Sequence, residues 1–142
     1  MATTVNNTTV QSRITIIYDA AGPLDGDGPA KGTGNTESDV YLDNNVKLNI
    51  RSHTEVDNSI HALQWDAATN TGHIEYVDNR DNLTISSFPQ WATNVVIRCE
   101  ALDVWKTAYD GHEDAGAEDD SAAVTAGNTA RDNYLSGHSI TY

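Results

Sequence analysis

The 142-residue chain has one cysteine, one methionine, one phenylalanine and three prolines. A lone Cys99 excludes an intrachain disulfide framework and a cysteine-rich metal centre. Lys and Arg are scarce as well: eight of them stand against 21 Asp and Glu, for a formal net charge of −13. Phosphate neutralisation needs clustered cations and these eight are scattered, so no direct contact with nucleic acid is expected. No apolar run approaches the ~20 residues that cross a bilayer, so no membrane partner is expected. The opening MATTVNNTTV lacks the basic region and apolar core of a secretory leader.

Large apolar side chains are few. Nine Ile, seven Leu, ten Val and one Phe make 27 of 142 residues, which together with the net charge puts the composition near the border of disorder. Ordering a residue costs roughly 1–2 kcal/mol, against burial worth about 25 cal/mol per Å². A chain this poor in apolar area is expected to gain contacts from neighbours, as a homo-oligomer or as a component of a larger assembly.

The residues that are present fall into two periods. TTVQSRITIIY (8–18) is β-branched and ends at the breaker DAAG, as a strand does. Residues 22–39, GPLDGDGPAKGTGNTESD, carry two of the three prolines and glycines at five positions, and read as a long irregular loop. VYLDNNVKLNI (40–50) is again β in character, with a turn or bulge at Asp43-Asn44-Asn45. SIHALQW and GHIEYV alternate across the turn residues Asp66 to Thr71 and predict an antiparallel hairpin. Both hairpin faces carry apolar bulk, which suggests one face on a core and the other on a partner.

Near Ser87 the period changes. Phe88, Trp91, Val95, Cys99, Leu102, Trp105 and Tyr109 recur every three or four residues, the stripe of an amphipathic helix that Asp110-Gly111 would end. Val96 and Val104 widen its apolar surface. DGHEDAGAEDD then places six acids between Asp110 and Asp120, a pattern normally found in solvated loops. SAAVTAGNTARDNYL can form a short helix weakened by Gly127, and SGHSITY an edge strand. The fold expected is α+β: an antiparallel sheet module packed on one long amphipathic helix, with long irregular loops. Its β-rich domain would cover residues 1–110, including the helix of 88–110, with 111–142 as an acidic loop and C-terminal extension.

The chemical motifs are weak. Placing Asp25 and Asp27 at the third and fifth positions of a helix-loop-helix calcium loop would require Pro23 as first ligand and Gly34 as the final bidentate acid, and neither has a carboxylate. His112, Glu113 and Asp114 with Glu118 to Asp120 lack a pattern that would select a cation. His61 and His73 would need a third ligand. GTGNTES (32–38) lacks the lysine of a phosphate loop, and no strained-turn nucleophile or carboxylate pair stands out. No enzymatic activity and no cofactor are expected.

The segment IHALQWDAATNTGHIEYVDNRDNLTISSFPQWATNVV resembles a stretch found in small structural proteins of tailed bacteriophages, among them tail-fibre-related ones. The likeness covers about residues 59–110. It rests on His61, Ala62, Leu63, Gln64 and Trp65, then Gly72, Ile74, Glu75 and Tyr76, then Asn82, Ile85 and Trp91. It implies a non-enzymatic virion component made in the host cytoplasm, associated with tail, fibre or baseplate and contacting other virion proteins. A capsid decoration protein is the alternative, and a small glycan- or cation-binding module using Trp65, Trp91 or the acidic loop is a second. The expected interface residues are Trp65 and Tyr76 on the hairpin, Val96 and Val104 on the helix, and Asp114, Glu118, Asp119 and Asp120 as a salt-sensitive surface for a basic partner.

Overall fold

The computed structural model describes residues 2–20, 36–48, 50–51, 56–57 and 59–140. The segment 22–35, with the DGDG sequence, lies outside them. The fold is α+β. Strands β1 (Thr3–Val5) and β2 (Thr8–Val10) form a small hairpin. Seven further strands form one sheet: β3 (Arg13–Ala20), β4 (Thr36–Leu42), β5 (Asn45–Val46), β6 (Ile50–Arg51), β7 (Ile60–Asp66), β8 (Thr71–Tyr76) and β9 (Leu83–Ile85). Their order is β5-β4-β3-β7-β8-β9, with β6 also on β4, and every pairing is antiparallel. Helices α1 (Gln90–Asp110) and α2 (Ser121–Ser136) follow.

Two compact units divide inside α1, Met1–Val96 and Ile97–Tyr142. Within the second unit the end of α1 is bonded to residues beyond 110: Trp105 Nε1 donates to Asn128 Oδ1 at 2.9 Å, and the Tyr109 hydroxyl donates to the Asp120 carboxylate.

In the first unit, period-two alternation separates two faces. One carries Ile14, Ile16, Tyr18, Val40, Leu42, Leu63, Trp65 and Ile74, all buried. Val5 and Val10 of the small hairpin are buried too. Trp65 Nε1 donates to Thr3 Oγ1 at 3.1 Å, and the Phe88 ring meets the indole edge-on at 5.7 Å. The β7–β8 turn is built as its residues predict: Asp66 accepts from Ala68 N at 2.8 Å, and Asn70 takes the left-handed conformation at φ 54°. A β-bulge between Ile60 and Ala62 breaks the alternation and leaves His61 exposed.

Asp43 and Asn44, both at positive φ (51° and 68°), make the two-residue turn from β4 to β5. The Asp43 carboxylate also accepts from the Gln11 and Ser12 backbone N–H groups and from the Ser12 hydroxyl. The Gln11 amide, then the Ser12 amide and hydroxyl, hold its carboxyl below the ordinary aspartate range. A depressed folded-state pKa contributes stability above the unfolded pKa, and that contribution disappears as pH falls through the folded value. Asp43→Asn keeps a residue that tolerates positive φ and removes the charge. Its melting temperature is expected to fall below that of the unmodified chain at pH 7, with the gap closing in acid; thermal melts across pH check this, and a gap independent of pH would contradict it.

The stripe expected on the long helix is only part of what is buried. Ala92, Val95, Val96, Ile97, Arg98, Cys99 and Ala101 are buried, whereas Trp91, Leu102, Trp105 and Tyr109 are half-buried. Val95 and Val96 belong to the first unit, and Ile97, Arg98, Cys99 and Ala101 to the second.

In the second unit, Ile97, Ala101 and Leu135 form a cluster to which Tyr134 and Ile140 add. The tail is not an edge strand over its described residues. Ser139 adopts φ 60°, its N–H bonds to Ser136 O at 3.0 Å and that of Ile140 to Leu135 O at 2.9 Å. This is a Schellman ending for α2, with the Ile140–Leu135 contact that accompanies it. A serine in place of the usual glycine at the left-handed position hides the signal from the sequence.

Candidate functional site

The expected interface residues fall in different environments. Trp65 is 2% exposed and Val96 0%. Both are buried within the single chain, Trp65 on the sheet face that carries Ile14, Leu63 and Ile74. A glycan platform on Trp65 is excluded for the same reason. Tyr76 is half-buried and lies under Arg80, whose guanidinium carbon is 4.3 Å from the ring centroid. Val104 is half-buried beside a shallow apolar groove with Thr107, Ala108 and Ala130.

The acidic stretch is a string of turns rather than a loose loop. The Tyr109 hydroxyl donates to Asp120 and accepts from Gly116 N at 3.1 Å. Asp114 N donates to His112 Nδ1 at 3.1 Å, and Asp119 accepts from the Ser121 backbone and hydroxyl as α2 begins. The Asp120 carboxylate pushes the Tyr109 phenol up, and the Ser121 bonds pull Asp119 down. Glu118 and Asp119 are exposed, while Asp114 and Asp120 are half-buried. Two of the four acids are therefore engaged in folding the segment as well as available to a partner.

Two features went unnoticed in the sequence. The first is a set of exposed apolar side chains: Val46 on β5 is 70% exposed, Leu83 on β9 50%, and Val77, directly after the inner strand β8, 63%. β5 and β9 are the terminal strands in the sheet order. Only the strand order, which is a tertiary property, makes them edges.

The second is a polar sheet face. Tyr41, Thr15, Gln64, His73 and Thr84 stand opposite one another on successive strands, and Arg13, Asp66 and Thr71 form the neighbouring row. Gln64 Oε1 accepts from Thr15 Oγ1 at 2.8 Å and from Arg13 Nη1 at 3.2 Å. His73 Nε2 meets Glu75 Oε2 at 3.0 Å. A depression of about 310 Å³ opens between these rows. The face expected to dock a partner through apolar bulk is thus hydrophilic near the β7–β8 turn, where Gln64, Asp66, Thr71 and His73 alternate with the core residues, whereas farther along it carries Ile17 and the buried Ala62. The register sets His73 opposite Gln64 and not His61.

Among the described residues, no group of three His, Cys, Asp or Glu could hold a metal ion, and no helix is long and apolar enough to cross a membrane. Comparison with protein-family models, curated proteins and solved structures finds no match to the chain.

Proposed function

We propose that this chain is a non-enzymatic structural subunit of a tailed-phage virion, associated with the tail, fibre or baseplate, and that it works by joining neighbouring subunits. The observation that carries this reading is the exposure of Val46 on β5 and Leu83 on β9, the terminal strands in the sheet order. An edge strand offers unpaired N–H and C=O groups as a template for another strand, and folded proteins usually blunt such edges with charge. Apolar side chains there favour coverage by a neighbour. The likeness of residues 59–110 to small phage structural proteins points the same way, since it spans β7, β8, β9 and α1.

Mass spectrometry and cryo-EM of purified particles test the proposal. The chain is expected at the tail or its baseplate, in repeated copies, with density against β5 or β9. Density on the capsid exterior would replace this reading with that of a decoration protein, and absence from mature particles would overturn the structural role. A Val46→Lys, Leu83→Lys double change should leave the isolated chain folded, because both side chains are exposed, and lower its incorporation into particles.

A further inference from the structure

We propose that the polar face of the sheet is a binding site for a neutral saccharide, seated in the depression between β3, β7, β8 and β9. Hydrogen-bonding capacity left over after the face has satisfied itself carries this inference. Gln64 Oε1 is occupied by Thr15 and Arg13, which fixes the amide orientation and leaves both N–H groups of Nε2 as donors with no partner among the described residues. His73 is held through Nε2, 3.0 Å from the Glu75 carboxylate, which leaves Nδ1 as the ring's second polar atom. Asp66 uses Oδ1 for Ala68 N, and Oδ2 is open. The Thr84 hydroxyl, at the end of the same row, both donates and accepts.

Donors and acceptors are thus interleaved on rigid strands about 4.8 Å apart, with the key side chains already oriented by second partners. Ring hydroxyls, each of which donates once and accepts twice, are the chemistry such a grid fits. Charge selects against other ligands: Arg13 lines the depression opposite a single Asp66, so it offers neither the clustered cations an anion needs nor the three-ligand set a metal needs. The volume, about 310 Å³, is at the small end for ligand sites and suits one or two sugar rings. Tyr41 continues the row two strands away, on the far side of Thr15, where its ring can stack on a second sugar. This site differs from the sheet margins, and its occupation does not depend on where the chain sits in a particle.

Amide-shift titration of the full chain with lactose, maltose and cellobiose tests it, with glucuronate and inorganic phosphate as charged probes. For at least one neutral disaccharide the expected result is saturable shifts centred on Gln64, His73 and Thr84, with a Kd on the order of 1 mM, as suits a shallow polar site. Gln64→Glu keeps the acceptor that Thr15 and Arg13 use but removes the two donors, and should weaken binding at least tenfold while the melting temperature is retained; His73→Ala should do the same. Absence of saturable shifts with all three sugars, binding unchanged in Gln64→Glu, or phosphate binding more tightly than any neutral sugar would each overturn the proposal.

Discussion

Gly72→Ala is expected to destabilise the sheet by about 3 kcal/mol or more, a large share of the 5–15 kcal/mol that stabilises an ordinary domain. An added Cβ at Gly72 would collide with the carbonyl oxygen of Gln64 and lie 3.0 Å from Trp65 Cε3 and 3.1 Å from Trp65 Cα. Two of those three atoms are backbone, and the strands carrying them are locked in register, Trp65 opposite Gly72 and Gln64 opposite His73. Nothing can rotate away, so relief requires the β7–β8 ladder to part. The indole is equally constrained, by Thr3 and by Phe88. Gly116→Ala is the informative control. Gly116 sits at φ +77° with nothing within 4 Å of an added Cβ, so only the left-handed backbone resists the change, at roughly 1–2 kcal/mol. Urea unfolding of both variants checks the order; equal losses would mean that the close approach at Gly72 is not what requires glycine there.

Gly127→Ala sets two effects against each other. Inside a helix, alanine is favoured over glycine by about 1 kcal/mol. The Cβ, however, would meet the Trp105 indole at 2.6–2.8 Å, and overpacking costs about 1–3 kcal/mol. A flexible side chain would swing clear, and alanine's helix preference would prevail. Trp105 cannot, because its Nε1 is bonded to Asn128 and its ring stacks on Tyr109 at 5.1 Å with only 9° between planes. Net destabilisation of about 1–2 kcal/mol is therefore expected, because the clash with the indole outweighs the gain in helix preference. In a Trp105→Ala background, which removes the three contacted indole atoms, the same change should cost less or become stabilising, the non-additivity expected of residues in contact. Thermal melts of the four variants of this cycle measure it, and strict additivity would contradict the packing argument.

Gly127 also illustrates how differently the two halves of the chain could be read. As text it weakens a helix; in the fold it lets α2 lie against Trp105. Leu42, Asn45 and the turn between them, the β7–β8 hairpin with its Asp66–Thr71 connection, the end of α1 at Asp110 and the burial of Cys99 all follow from short-range signals. The placement of Trp65 and Val96 in the core did not follow, since alternation and helical stripes say that two faces differ but not which of them is covered. The polar cluster of Arg13, Gln64, His73 and Thr84 was invisible for a related reason: its members come from four strands spread over 72 residues of chain, and no spacing links them.

By itself the sequence determined the local geometry: where the chain alternates, where it turns, where its period changes to 3.6, and that its net charge is −13. Those properties depend on backbone sterics, side-chain periodicity and composition, all of which act over a few residues or simply add. Only the tertiary structure decided which strands are edges, which tryptophan is core, and which polar side chains share a surface. Strand order and register are set by burial summed over the whole sheet, so they place Val46 and Leu83 at its margins and align Gln64 with His73 through pairings between residues far apart in the chain.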